Sequence, residues 1–148
     1  MIYLSRHIYM DRQLTTMRTM FQALGDRTRL RILGLLLTGE VCVCHIHESL
    51  GVSQPKASRH LAYLRRSGLV ETRRDGLWVY YRLAETDDAL LRTIREVVTH
   101  TLAHVAIVRR DAGRLQKKTG CCLPAASGGP AYACCGSSVA GAPSPSAT

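Results

Sequence analysis

The 148-residue sequence has no run of roughly 18 to 20 apolar residues, the length that a helix needs to cross a bilayer. Its first residues, 1–7, also lack the apolar stretch of about 7 to 15 residues that marks a secretory signal peptide. The sequence therefore predicts a cytoplasmic protein without a membrane partner. In that reducing compartment the six cysteines are expected as metal ligands, redox groups or buried thiols rather than as structural disulfides.

Acidic residues are scarce in the sequence. Only 11 Asp and Glu stand against 20 Lys and Arg, which gives a formal net charge of +9 and a pI near 9.7. In a chain of about one domain's length, this balance favours a polyanionic partner such as nucleic acid, although acidic substrates or an anionic membrane surface also fit. The hydrophobic content of 46% excludes a wholly disordered chain.

Charged residues are absent from residues 119–148, which are rich in Gly, Ala, Ser and Pro and contain four cysteines. This composition cannot bury a core and predicts a flexible tail. The expected organisation is an N-terminal arm (1–10), one folded domain (11–110) and a flexible tail (111–148).

Apolar residues recur at helical spacing in four segments that precede residue 68. The first two predicted helices are separated at Gly25, after which Asp26 can cap the second helix. The third is short, at about Val41–Leu50, and Gly51 is predicted to end it in a left-handed conformation. The fourth begins after Ser53, whose hydroxyl can accept a hydrogen bond from a free N–H group.

Beyond residue 68 the apolar period changes from helical spacing to two. Residues 69–73 and 77–83 read as strands around Asp75-Gly76, a pair that favours a type I′ turn with positive φ at both central positions. A last long helix is predicted from Asp87 to about Arg110, with apolar residues spaced three and four apart. The predicted fold class is mainly α with a small β-hairpin (α+β), in the order four helices, two strands and one helix.

These elements are the parts of a winged helix-turn-helix, in which two helices joined by a tight turn precede a basic hairpin. In such a fold the second helix of the pair, called the recognition helix, enters the major groove of DNA. Side chains suited to base edges or phosphates cluster in the first half of the fourth predicted helix: Gln54, Lys56, Ser58, Arg59 and His60. The hairpin is the wing of such a fold. Arg73 and Arg74 beside its tip would present positive charge to the DNA backbone or minor groove, although an ordinary solvated surface stays the alternative.

Three stretches of the sequence resemble the ArsR/SmtB family of metal-responsive bacterial repressors: Ala23–Leu30 (ALGDRTRL), Glu40–Cys44 (EVCVC) and Ser53–Leu61 (SQPKASRHL). The combination of Cys-Val-Cys with Ser-Gln-Pro-Lys is similar to the arsenic-sensing ArsR branch, and the resemblance covers about residues 11–110. It implies a DNA-binding and dimerisation domain that forms a homodimer through the first and last helices. It also implies release from double-stranded operator DNA when trivalent arsenic or antimony binds cysteine thiolates.

Cys42 and Cys44 are the expected metalloid ligands. At about 100° per residue, their side chains would lie about 200° apart on a regular helix. One ion could bind both only if the start of the third helix bent or unwound. Because that helix supports the recognition helix, ion binding would change the geometry with which the protein meets DNA.

The third ligand is left open by the sequence. In the arsenic branch a third cysteine commonly follows three positions after Cys44, and His47 occupies that position here. The site could instead take its third ligand from the tail, or work with two thiolates; the tail cysteines are Cys121, Cys122, Cys134 and Cys135. The tail pairs also resemble cysteine pairs in ArsR relatives that prefer other arsenicals, so a methylated-arsenical sensor is an alternative.

Three further functions stay open. A cadmium-, lead- or zinc-responsive repressor of the same family would share Cys-Val-Cys, although that branch uses further cysteines from an N-terminal arm and residues 1–41 contain none. A cysteine-based arsenical-binding enzyme would use the tail pairs, but no cysteine stands with a base in a recognisable catalytic arrangement. A metalloid buffer would bind the ion without affinity for an operator. We therefore expect no enzyme activity and no required cofactor.

Overall fold

A computed structural model describes the backbone of residues 2–119 and the side chains of residues 10–118. Its α-helices and strands in chain order are α1 (Ile2–Leu24), α2 (Arg27–Leu35), β1 (Val41–Cys42), α3 (Val43–Leu50), α4 (Gln54–Arg66), β2 (Val70–Asp75), β3 (Trp78–Leu83), α5 (Ala89–Ala103) and α6 (Ala106–Thr119), and a 3-10 turn at Leu36–Thr38 follows α2. The mainly helical fold with a small β-sheet confirms the predicted fold class. Within residues 2–119, no helix combines the length and apolar character that a membrane span requires.

The core lies where α2, α3 and α4 meet. Its fully buried side chains include Ile32 and Leu35 of α2, Ile46 of α3 and Leu61 of α4. Burial of each such side chain contributes roughly 1.5–3 kcal/mol, so the packing of these three helices fixes the position of α4.

Two of the three predicted helix-end signals are confirmed, those at Asp26 and Gly51. The Oδ1 atom of Asp26 accepts a hydrogen bond from the Arg29 N–H at 2.9 Å and so caps α2. Gly51 ends α3 in the left-handed conformation, with φ 68°. Ser53 occupies the N-cap position of α4, but its side chain makes no capping hydrogen bond, so the predicted cap by its hydroxyl group was wrong.

The predicted hairpin forms from β2 and β3, with a different turn from the one expected. Asp75 is still part of β2 and lies opposite Trp78, so the two turn residues are Gly76 and Leu77. Of these only Gly76 has positive φ, at 58°. Positive φ at the first central position alone corresponds to a type II′ turn, and the prediction of a type I′ turn was wrong.

A third strand corrects the prediction of a two-stranded ribbon. Val41 and Cys42 form β1, which pairs antiparallel with β3 opposite Tyr81 and Tyr80, and the sheet order is β1-β3-β2. The predicted helix start at Val41 was therefore wrong, because the second edge of β3 takes these two residues and α3 begins at Val43. The hairpin is thereby joined directly to the start of α3.

The predicted last helix is two helices, α5 and α6, separated at His104. The chain turns there because α6 packs back onto α2 and α3, burying Val108, Asp111 and Leu115 at helical spacing. Gly34 of α2 permits this close approach, since a Cβ atom at that position would lie 2.3 Å from Cγ1 of Val108.

The boundaries of the folded part also differ from the expectation. The backbone of α1 includes residues 2–10, which were expected as an arm. At the other end, α6 continues past residue 111 to Thr119, because its apolar residues are buried against the domain rather than left in a tail. Residues 120–148, with the four distal cysteines, lie outside the described residues, and the flexible tail stays a prediction for them.

Candidate nucleic-acid interface and thiolate site

The α4 helix has one apolar and one polar face. Ala57, Leu61 and Leu64 are buried against the core. The other face carries four of the predicted DNA-contacting residues in its first turns, with Gln54, Lys56 and Arg59 exposed and Ser58 half-buried. The arrangement can therefore present these four side chains together to a groove of DNA.

His60, the fifth predicted contact on α4, lies against α2. Its Nδ1 atom is 3.5 Å from Oδ1 of Asp26, and the side chain is only 18% exposed. Because Asp26 also caps α2, this contact ties the recognition helix to the helix beneath it. His60 is therefore less exposed than Gln54, Lys56 and Arg59, and its contact with DNA stays a prediction.

The two wing arginines lie side by side on β2 in different surroundings. Arg73 donates to both carboxylate oxygens of Glu40, with Nε–Oε1 at 3.0 Å and Nη2–Oε2 at 2.7 Å. Its guanidinium carbon also lies 4.7 Å over the ring of Tyr80. Arg74 is exposed, and its side chain makes no hydrogen bond or ion pair to the described side chains. Of the two arginines, Arg74 is therefore the one whose guanidinium group is not already held by a carboxylate of the described residues.

Glu40 is a residue that the sequence reasoning missed. Its hydrogen bonds from Arg73 lower the pKa of the Glu40 carboxyl group, because they favour the charged form. The two residues are 33 positions apart, so no local pattern joins them. The signal that could have found the pair is the strand β1, which brings Glu40 to the sheet that carries Arg73.

The two candidate thiolates lie on either side of the start of α3. Cys42 is in extended conformation in β1, is 2% exposed and belongs to the core, whereas Cys44 is half-buried in the first turn of α3. Neither forms a disulfide within the described part of the chain. The expectation that both cysteines lie on a regular helix was wrong, because pairing with β3 holds Cys42 extended. An ion that binds both sulfurs therefore competes with the packing and strand pairing of Cys42.

The third ligand is not found among the described side chains. In residues 10–118 no three His, Cys, Asp or Glu side chains are grouped so that they could hold a metal ion. The Nδ1 atom of His47 lies 3.2 Å from the carbonyl oxygen of Val52, so that ring atom is engaged by the loop after α3. This part of the chain offers two thiol ligands, Cys42 and Cys44.

The C-terminal end of α3 is held by α2 and α6. Arg31 of α2 donates to both carboxylate oxygens of the fully buried Asp111, at 2.6 and 2.9 Å, and to the carbonyl oxygen of Leu50 at 3.1 Å. Lys118 of α6 pairs with Glu48 through Nζ and Oε2 at 2.7 Å. These contacts fix the last turn of α3 against two other helices.

Comparison with known proteins assigns the chain to a family. Residues 26–72 match the family described as bacterial regulatory protein, arsR family. The arsenic resistance transcriptional regulator ArsR1 of Pseudomonas putida is 39% identical over 116 residues, which cover 74% of this chain and 91% of that relative. The arsenical resistance operon repressor of Escherichia coli is 54% identical over 66 residues, which cover 44% of this chain and 56% of the repressor.

A solved structure supports the same assignment. The solution structure of the homodimeric winged helix-turn-helix DNA-binding domain Mb0332 from Mycobacterium bovis, a possible ArsR-family transcriptional regulator, matches with a TM-score of 0.52 and 36% identity. The match covers 64% of this chain and 89% of that domain. Together with the α3–α4 pair and the hairpin, these likenesses show that the chain is a winged helix-turn-helix protein that belongs to the ArsR family of transcriptional regulators.

Proposed function

We propose that the protein is an arsenic(III)- and antimony(III)-responsive repressor that binds operator DNA as a homodimer. The metalloid binds the thiolates of Cys42 and Cys44, and the dimer then leaves the DNA. One observation carries the proposal: the two cysteines straddle the junction at which β1, paired with the hairpin, becomes α3, which supports the recognition helix. Soft ions prefer thiolate ligands, so this junction is a suitable place for such an inducer to act.

Operator binding is assigned to the exposed face of α4 and to the wing. Gln54 and Arg59 have the paired polar groups that adenine and guanine edges require, whereas Lys56 and Ser58 suit phosphate contacts. Arg74 extends this surface at the hairpin, where its exposed side chain can approach the DNA backbone or minor groove.

A second copy of the chain is the proposed partner along α1 and α5, which correspond to the first predicted helix and to the first part of the predicted last helix. Met10, Leu14 and Phe21 of α1 are 62%, 64% and 58% exposed and lie on one side of the helix, and Val97 of α5 is 61% exposed. Exposed apolar surface of this kind favours association. A symmetric dimer requires two operator half-sites about 10 bp, or a multiple of that, apart. A footprint with one isolated half-site would contradict the dimer.

Where the inducer needs a third thiolate, we assign it to the segment after α6. The pair between Lys118 and Glu48 brings the end of α6 alongside α3, and Glu48 lies one helical turn from Cys44. Cys121 follows Lys118 by only three residues, a span of at most about 11 Å. The chain length therefore favours Cys121 and its neighbour Cys122.

Paired substitutions separate the possible sources of that thiolate. The change of Cys121 and Cys122 to Ser is expected to weaken arsenite binding, and the same change at Cys134 and Cys135 serves as the matched control. Equal arsenite affinity in all three proteins would exclude the tail and leave His47 or a two-thiolate site.

A methylated trivalent arsenical is a second candidate inducer. Its methyl carbon occupies one of the three arsenic valences, so two thiolates complete its coordination. The two thiols of the described part, Cys42 and Cys44, match that number.

One titration distinguishes these inducers. The fluorescence anisotropy of a labelled operator duplex is followed while arsenite, a methylated trivalent arsenical, antimonite, cadmium, lead and zinc are added in separate series. Arsenite or antimonite is expected to release the DNA at the lowest concentration. Release by cadmium, lead or zinc alone would contradict the proposal in favour of another metal response, and arsenite binding without any operator affinity would indicate a metalloid buffer.

A further inference from the structure

A continuous set of contacts joins the thiolate pair to the wing. Cys42 lies opposite Tyr80 across the β1–β3 pairing, and Tyr80 lies opposite Arg73 across the β3–β2 pairing. Arg73 covers the Tyr80 ring and reaches back to Glu40, two residues before Cys42. The contacts thus run across the sheet from Cys42 to Arg73 and return through Glu40.

The pair between Glu40 and Arg73 has a defined geometry. Both carboxylate oxygens accept hydrogen bonds from the guanidinium group, which also stacks over Tyr80. Two-point contacts of this kind fix the relative orientation of the two side chains better than a single ion pair does. The pair therefore constrains the position of the Arg73 guanidinium group relative to Glu40.

We propose that Glu40 and Arg73 are positioning residues that couple the thiolate pair to the wing, an inference that rests on the proposed function. An ion that draws Cys42 out of its pairing with Tyr80 also displaces Glu40. Arg73 and the hairpin then shift relative to α4, so the DNA loses its fit to the wing and to the recognition helix together. Ligand binding thus weakens DNA binding in two ways, through the sheet that carries the wing and through α3, which packs against the recognition helix.

A second ion pair on the same sheet provides a matched control. Glu71 and Arg82 lie opposite each other on β2 and β3, and Arg82 Nε is 2.8 Å from Glu71 Oε1. Glu71→Gln therefore removes the same charge from an arginine pair of the same hairpin as Glu40→Gln does. Only Glu40 precedes β1 and the thiolate pair directly.

The experiment compares operator dissociation constants with and without saturating arsenite. The ratio of the two constants measures the coupling, and a substitution that merely weakens folding or DNA contact leaves it unchanged. Loss of an exposed ion pair of this kind is expected to lower the ratio by up to about fivefold in Glu40→Gln. Glu71→Gln is expected to keep the wild-type ratio. Arg73→Gln is the second variant should Glu40→Gln fold poorly, with the same expected loss.

Trp78, the only tryptophan of the chain, gives an independent readout from the wing strand β3. Arsenite is expected to shift its emission in the DNA-free wild-type protein and in Glu71→Gln, and to do so less in Glu40→Gln. Wild-type coupling and emission shifts in both Glu40→Gln and Arg73→Gln would overturn the inference while the proposed function stood. A wild-type protein that keeps its DNA at saturating arsenite would overturn the proposed function itself, and the inference with it.

Discussion

The two ends of α3 differ in how they are held. The C-terminal end receives polar contacts from α2 and α6, among them the Arg31–Asp111 pair with its hydrogen bond to the Leu50 carbonyl. The N-terminal end begins at Cys42, which makes no side-chain capping hydrogen bond and is joined to the sheet through a strand of two residues. The C-terminal end is thus tied to two helices by polar contacts, whereas the N-terminal end depends on the burial of Cys42 and on the pairing of a two-residue strand.

The difference explains why a ligand site belongs at the N-terminal end. A bound ion has to change the local geometry of Cys42 and Cys44. At this end the change disturbs the burial of Cys42 and a strand of two residues, while the buried Arg31–Asp111 pair stays intact. The fixed end keeps the turn at Gly51 in place against the core, so the start of α3 and the wing can move without unfolding the domain. The surface proposed to bind DNA, on α4 and the wing, and the proposed ligand site, at the start of α3, are thus neighbours within one helix-turn-helix motif.

The largest expected effect is a loss of stability when the buried Arg31–Asp111 pair beside the C-terminal end of α3 is removed. Asp111→Asn leaves the Arg31 guanidinium without its buried partner charge, and the free energy of unfolding is expected to fall by about 3 kcal/mol or more. Urea denaturation measures this loss. Lys118→Ala, which removes only an exposed ion pair from the same helix, is the control and is expected to cost about 0.5 kcal/mol. Equal losses in the two variants would show that the buried pair does not hold α3.

The second-largest effect is expected from removal of the two proposed thiolate ligands at the N-terminal end of α3. With Cys42 and Cys44 both changed to Ser, operator affinity is expected to stay near the wild-type value, because neither side chain lies on the exposed face of α4. Release by arsenite is expected to disappear, a loss of the whole coupling of about 5- to 150-fold. Anisotropy titration measures both quantities, and normal release by the double variant would move sensing to the tail cysteines.

A smaller effect separates DNA reading from ligand response. Arg59→Ala removes an exposed side chain from the recognition helix and is expected to weaken operator binding by about 1–3 kcal/mol. The weakening should be the same with and without arsenite, because Arg59 is remote from the contacts that the ion changes. A changed arsenite ratio would mean that reading and sensing are not separable in this way.

The smallest expected effect is a pH dependence from the middle of α3. Burial lowers the pKa of His45, and Lys118 adds to this while Glu48 opposes it. As the pH falls through about 6.5, the unfolded chain binds a proton that the folded protein takes up less readily, so stability is lost. His45→Gln is expected to flatten the stability profile between about pH 7 and about pH 5. If the free energy of unfolding depends on pH in the same way in both proteins, His45 is not the source of the pH dependence.

Most of the fold follows from local signals in the sequence. The caps at Asp26 and Gly51 and the apolar period of α4 each act within a few residues, and the structure contains all three. The hairpin forms at its predicted place, with Gly76 and Leu77 rather than Asp75 and Gly76 as the turn residues. Much of the predicted polar face of α4 follows in the same way, because burial of Ala57, Leu61 and Leu64 leaves Gln54, Lys56 and Arg59 exposed.

The parts that the sequence did not predict depend on contacts distant in the chain. Strand β1 forms because Val41 and Cys42 meet the edge of β3, about 40 residues later. The division of the last helix depends on the burial of Asp111 beside Arg31, 80 positions earlier. Glu40 reaches Arg73 only because β1, which follows Glu40, joins the sheet that contains β2. Such pairings are set by tertiary packing, which neither hydrophobic period nor turn chemistry reports.

Hydrogen exchange of the DNA-free protein, followed by mass spectrometry with and without arsenite, tests most directly whether the start of α3 yields while its end stays fixed. We expect faster exchange on arsenite binding in the paired strands, residues 41–42 and 78–83, and in the amides of His47 and Glu48, which bond the carbonyl groups of the first turn of α3. The amides of Gly51 and Val52, which bond the last turn, and those of α6 should not change. Unchanged exchange in residues 41–42, 47–48 and 78–83 of the arsenite-bound protein would contradict this expectation.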